Sequence, residues 1–330
     1  MKPTKISPAL ALFIIAPVFG ELFSGSSPLN EFANPITFIT LALLYGCGAI
    51  LVRELVIRWR KGWFSLLLLG MAYGIYEEGI VVQSFFDPDW MDLGNMAVYG
   101  RVAGVNWVWA EHLTLFHALI SVAASIAFVE MLYPKRRLER WVATRTWWGL
   151  NWTGFVSIYL IWELLTHYEP GWWRMASWLA VFALAGLARL VPERLLPPIE
   201  RKVPPPWCFW AVGFFGLFGQ LYIVYNGADN GAYPYPIAMI LLLAWHLFLL
   251  WLVLRWSGNG AAWNDRHRVA LINGALSLLL VLGPLTVGAQ YPVMYWSHPV
   301  FLLLLWIAGN RIRIKTIPQT PPLPAATRSA

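Results

Sequence analysis

The chain is expected to fold as an all-α, polytopic transmembrane helix bundle, and three observations lead there. Of its 330 residues 58% are hydrophobic and 12% charged; apolar runs recur along the whole length; and basic residues gather in every second loop. A run of about 20 apolar residues suffices to cross a bilayer as a helix.

Ten spans are read, near 8–24, 35–57, 63–86, 106–132, 147–167, 172–191, 207–226, 235–256, 267–287 and 297–310. The first lacks a small-residue cleavage site and continues into GELFSGSSP, so it is expected to stay in place as a span. Lys2 and Lys5 precede it, and Arg53, Arg58, Arg60 and Lys61 mark the hairpin after span two. Lys135, Arg136, Arg137, Arg140 and Arg145 follow span four, and Arg189, Arg194, Arg201 and Lys202 follow span six. Arg255, Arg266 and Arg268 follow span eight, and Arg311, Arg313, Lys315 and Arg328 close the chain. Of the 24 Lys and Arg, only Arg101 and Arg174 fall on the opposite side. Because cytoplasmic loops accumulate Lys and Arg, both termini are expected to be cytoplasmic and the span number even. The net charge of +7 is then a topology signal and gives no reason to invoke nucleic acid.

The 21 Trp cluster at expected span ends, as at Trp107 and Trp109, Trp147 and Trp148, Trp172 and Trp173, which is where amphipathic rings anchor at the interface. Cys47 in span two and Cys208 in span seven are not placed to form a structural disulfide.

The proline- and charge-rich stretch VPERLLPPIERKVPPP, 191–206, reads as a cytoplasmic linker. It separates a six-span group, 1–190, from a four-span group, 207–315, and the tail 316–330 reads as a disordered cytoplasmic end. No internal repeat is evident. The longest outward connection, 87–105, holds Asp87, Asp89, Asp92 and Arg101, but it lacks a calcium-loop pattern and reads as a solvated loop with turn-forming Asp-Pro. No metal site is expected from it, and the sequence assigns no cofactor.

Ionisable groups within spans are costly and therefore candidates for function. Span three, Trp63 to Phe86, is largely apolar and carries charge at Glu77 and Glu78. With span three running outward and span four inward, this pair and His117 fall at one level of the outer half. On span four Glu111, Thr114, His117, Ser121 and Ser125 follow at steps of three and four, giving one polar stripe, with His112 pointing elsewhere. Adjacent helical residues differ by about 100°, so Glu77 and Glu78 are expected to address different partners. Glu77 shares its face with Tyr73 and Ser84, whereas Glu78 shares with Gly74 and Val82 a face that another helix can approach closely.

Glu21, Glu163, His167, Gln220, Gln290 and His298 also favour the outer half. Glu54, beside Arg53 and Arg58, reads as an interfacial ion pair, and His246 as a satisfied interior histidine. Glu77, Glu78 and His117 are thus the candidate catalytic or proton-binding groups. Glu21, Glu111, Thr114, Ser121, Glu163 and His167 are candidates for substrate binding.

Paired glutamates followed by a helix with Leu113 and His117 four apart resemble the first two motifs of the CAAX-processing and bacteriocin-processing intramembrane proteases. That resemblance implies that Glu77 or Glu78 activates water and His117 assists. In that family an arginine stands four after the second glutamate, where this chain has Val82. A phenylalanine stands where it has Leu113, and the third motif, a histidine with asparagine four later, meets His167 and Gly171. The segments GELFSGSSP, YGIYEEG, SFFDPDW and GVNW together resemble uncharacterised polytopic membrane proteins of bacteria and archaea, which implies an integral protein of a prokaryotic cytoplasmic membrane.

Glu and His at one level suit a small-solute or proton-coupled transporter, which is the first expectation, and equally a membrane-embedded hydrolase or transferase acting on a lipid or peptide. A non-catalytic membrane partner protein is the third class. Partners are accordingly the lipid bilayer and a small solute, proton, lipid or peptide.

Overall fold

The computed structural model describes residues 6–314 except Asp92, Thr166 and His167. Ten helical rods make up most of them: α1 Pro8–Leu22, α2 Pro35–Arg58, α3 Trp63–Val81, α4 Trp107–Leu132, α5 Arg145–Leu165, α6 Trp172–Leu190, α7 Pro206–Asn230, α8 Tyr235–Ser257, α9 Asp265–Thr286 and α10 Met294–Ile314. Six of these, α2, α3, α4, α7, α8 and α9, are long and apolar enough to cross a membrane. Among the described residues the only extended pairing is a two-residue antiparallel ladder, Arg101–Val102 with Val105–Asn106. An all-α membrane bundle is therefore the architecture.

Local chemistry sets several helix starts. Asn106 caps α4 by accepting from Trp109 N at 3.0 Å, and Asn264 caps α9 by accepting from Arg266 N at 3.0 Å. Proline occupies the first turn of α7 and α8, where its missing N–H costs nothing. Gly231 and Gly258 end the same two helices in the left-handed conformation.

The third rod departs from expectation. α3 ends at Val81 and not near Phe86, because Gln83 takes a positive φ of 63° and turns the chain back. The segment after it is not a solvated loop. Phe85, Phe86, Leu93, Met96 and Val105 are buried together with Val108 and Trp109 of α4 and Val224, Ala238 and Leu242 of α7 and α8. Asp87 makes the expected local turn, accepting from Asp89 N at 2.9 Å, while Asp92 lies outside the described residues.

Arg101, one of the two cations on the outward-assigned side, holds this cap. Its guanidinium donates to Ala97 O at 2.7 Å, Phe86 O at 2.6 Å and Asp87 O at 3.3 Å. Backbone carbonyls that no helix uses are thereby satisfied.

At the opposite end Arg53 and Glu54 are both almost fully buried and joined at 2.8 Å. Arg53 also donates to the carbonyls of Glu139 and Arg137 at 2.7 and 2.6 Å and lies 3.7 Å above the Trp141 ring. Arg137 in turn reaches Asp265 of α9 at 2.7 Å. The expected interfacial pair is thus part of a larger buried network tying α2 to α9 through the turn after α4.

Two buried faces meet around the candidate site. One apolar cluster joins α1 to α6 through residues such as Leu12, Tyr45, Tyr73, Ile80, Val122 and Ile158. A second joins α1 and α4 to α7, α9 and α10 through Phe19, Phe116, Phe128, Leu217 and Leu276. α1 and α4 belong to both and form the middle of the bundle.

α3 and α4 cross closely because α3 presents Gly70 and Gly74, one turn apart. A Cβ on Gly70 would stand 3.0 Å from Ala118 Cα, and one on Gly74 would stand 3.1 Å from Thr114 Cα and 3.2 Å from His117 Cβ. The small face expected beside Glu78 is the α3–α4 contact. Gly74→Val is expected to destabilise the protein by about 1–3 kcal/mol through overpacking, seen as a lower Tm in detergent; an unchanged Tm would refute this close crossing.

Candidate functional site

Four of the rods are interrupted by wide turns with i→i+5 hydrogen bonding: Val18–Leu22 in α1, Ala42–Gly46 in α2, Tyr76–Val81 in α3 and His117–Ala124 in α4. Such π turns are rare and collect at functional sites. Each of the four carries residues of one polar cluster: Glu21 from α1, Tyr45 from α2, Glu77 and Glu78 from α3, His117 and Ser121 from α4. Four independent helices deviating at the same place is the main reason to regard the cluster as more than helix packing.

His117 is the centre. Its Nε2 lies 2.8 Å from Glu78 Oε1, and its Nδ1 lies 3.2 Å from Glu77 Oε2 and 3.0 Å from Ser121 Oγ. Both glutamates therefore address the same ring, contrary to the expectation that they face different partners. An imidazole has two nitrogens on opposite edges, and the π turn beginning at Tyr76 departs from the 100° step on which that expectation rests. All three groups are buried, with exposures of 2% for Glu77, 8% for Glu78 and 3% for His117.

Surrounding groups hold the three in place. Ser84 Oγ donates to Glu78 Oε2 and receives Trp109 Nε1 at 3.1 Å. Ser84 thus serves Glu78 and not Glu77, because the chain has already left the helix and folded back. Glu21 accepts from the Tyr45 hydroxyl and, at 2.8 Å, from Ser27 Oγ. The Tyr45, Tyr73 and Phe116 rings stand 5.9, 6.3 and 5.7 Å from the His117 ring between centroids. Glu21 is partly exposed, so the cluster reaches the surface beside the turn Ser24–Ser27.

Within the cluster Glu77 Oε2 lacks a hydrogen bond: it is near enough to His117 for charge attraction but is not aligned as a hydrogen-bond acceptor. Most buried polar atoms are satisfied, so such an atom calls for a cause.

Of the remaining candidates, Thr114 is buried at the α3–α4 crossing, and Ser121 joins the cluster. Glu111 is partly exposed at the outward-assigned start of the stripe. Glu163 does not join: it pairs with Arg174 at 2.6 Å, bridging α5 and α6. His167 lies outside the described residues. His112 does point elsewhere, with its Nδ1 at 3.0 Å from Gln220 Nε2, and Gln220 Oε1 lies 3.2 Å from His246 Nε2. His246 is therefore a member of a three-residue chain across α4, α7 and α8.

Tyr45, Tyr73, Ser27 and Trp109 were not foreseen as site residues. Tyr45 and Ser27 lie far along the chain from the glutamates, and only the close packing of α1 on α2 and α4 unites them. Its local trace is Gly20, where a Cβ would meet the Tyr45 ring at 2.6 Å and Ser121 Oγ at 3.0 Å.

Fold and site together define a helical integral membrane protein with an internal carboxylate–imidazole cluster. The chain belongs to an uncharacterized membrane protein family, whose family model matches residues 10–293. Comparison with curated proteins found no match, and comparison with solved structures found none either.

If Ser84 holds Glu78 as described, Ser84→Ala leaves Glu78 Oε2 short of a donor and costs about 1–3 kcal/mol. Trp109→Phe removes the more distant bond and also part of a ring buried in the cap cluster, so it too should lower stability in reversible unfolding from detergent. Equal stability of both variants and the unmodified protein would contradict this support.

Proposed function

We propose that the protein is a membrane-embedded hydrolase of a prokaryotic cytoplasmic membrane, cleaving an acyl bond of a peptide or lipid with water activated by Glu77, Glu78 and His117. One observation carries the reading: two carboxylates approach the two nitrogens of one imidazole, at 2.8 and 3.2 Å, on turns that four helices distort to assemble. A carboxylate held within hydrogen-bond reach of an imidazole is a pair able to take a proton from water and return it to a leaving group. The water oxygen forms the new bond to the acyl carbon, the carboxylate takes its proton, and the departing amine or alkoxide receives a proton as the acyl bond breaks.

The low-polarity surroundings favour this chemistry, since charges that develop there are poorly screened and respond strongly to fixed neighbours. The partial resemblance to the CAAX- and bacteriocin-processing proteases supports the same roles for Glu77, Glu78 and His117. Val82 and Leu113 stand at two of that family's motif positions, so the substrate contacts of those enzymes are not carried over.

The test does not require the substrate to be known. Protein in liposomes made from a bacterial membrane extract is incubated in H2(18)O, and new carboxyl groups are followed by mass spectrometry. Incorporation of label is expected with the unmodified protein and is expected to fall at least a hundredfold in Glu78→Gln and His117→Ala, the scale of general acid–base assistance. Equal labelling by all three, with the variants folded, would overturn the hydrolase. Loss of proton-coupled solute uptake in the same variants without any labelling would establish a carrier instead.

A further inference from the structure

We infer that Glu77, Glu78 and His117 bind a divalent first-row transition metal, with Zn2+ the ion the donors fit best; this rests on reading the cluster as the water-activating site. One ligand atom from each residue lies within 4.8 Å of the other two, with all three side chains buried. Two carboxylate oxygens and one imidazole nitrogen are three protein ligands. That number leaves a coordination position for water, as catalytic zinc sites do.

Charge gives the second argument. Among the described residues the cation paired with Glu77 and Glu78 is His117 itself, and no Lys or Arg pairs with either. Two carboxyl groups thus share a single imidazole as their charge partner. A dication would place an opposite charge beside both carboxylates at one point.

An unsatisfied atom provides the third. Glu77 Oε2 has no aligned hydrogen-bond donor. An ion held by the Glu77 carboxylate gives that side chain the partner it lacks.

The supports already present are those a metal site needs. With Nε2 as the ligating atom, His117 Nδ1 is left to Ser121 Oγ at 3.0 Å, which fixes the tautomer and the ring. Glu78 keeps its second oxygen on Ser84, itself held by Trp109 at 3.1 Å. Oxygen and nitrogen donors without a thiolate select Zn2+, Fe2+ or Mn2+ over Cu+, and the usual affinity order places Zn2+ above the other two.

The experiment is metal analysis of the full chain, purified in detergent without chelator from zinc-supplemented cells and freed of any affinity tag. Inductively coupled plasma mass spectrometry should find about one zinc per chain, the occupancy of a mononuclear site. His117→Ala and Glu78→Gln should reduce it at least tenfold, and His246→Ala should leave it unchanged. As a check independent of variant folding, chelator-stripped unmodified protein should take up Zn2+ in calorimetric titration with the same stoichiometry. No zinc above the His117→Ala level together with no uptake by the stripped protein would overturn the metal. Full 18O labelling by stripped protein would keep the hydrolase and remove the metal, whereas stoichiometric zinc without labelling would keep the metal and remove the hydrolase.

Discussion

Ionisable side chains buried in a helix bundle must find their partners within the protein, and in this chain Glu77 and Glu78 find theirs in one imidazole placed between them. The rest of the bundle follows from making that placement geometrically possible. Gly70 and Gly74 let α3 lie against α4 so that Glu78 and His117 meet at 2.8 Å. The chain turns sharply at Gln83 so that Ser84 returns to Glu78. α1 and α2 contribute Glu21 and Tyr45 from wide turns at the same place. Helix packing alone does not require four helices to leave regular geometry together.

The two polar layers of the molecule solve the burial problem differently. At the Arg53 end, guanidinium groups meet carboxylates and loop carbonyls, with Trp141 stacked on Arg53, so most charges have an opposite or a dipole at hand. Among the described residues no guanidinium pairs with Glu77 or Glu78. Arg101 and Arg174, assigned outward by sequence, are committed to the cap carbonyls and to Glu163. The first layer reads as a structural clamp, whereas in the second two carboxyl groups share one imidazole.

Much of this was legible in the sequence. Apolar run length located the helices, and the charged pair Glu77–Glu78, set beside His117, marked three side chains that the fold brings together. Two features were not legible. A helix-periodic argument places Glu77 and Glu78 on different faces, and it fails where the backbone widens into a π turn that no local residue pattern announces. It also cannot show that the stretch after Val81 folds inward, since the decision lies with Gln83's backbone and with distant partners on α7 and α8. Tyr45 and Ser27 were missed for the related reason that α1–α2 packing is a tertiary fact, marked locally only by close-approach glycines such as Gly20 and Gly46.

The central claim is that the Glu77–His117–Glu78 cluster exists for chemistry and not to hold the helices together. Its most direct test is the unfolding stability in detergent of a triple variant, Glu77→Met, Glu78→Met and His117→Leu, which replaces every charge with an apolar side chain. Buried ion clusters replaced whole by apolar residues are commonly neutral or stabilising by about 1–4 kcal/mol, and residues kept for function commonly cost stability. The account predicts a triple variant at least as stable as the unmodified protein. A loss of about 3–5 kcal/mol, the cost of breaking a buried structural pair, would mean that the cluster is the bundle's fastening and would contradict the account.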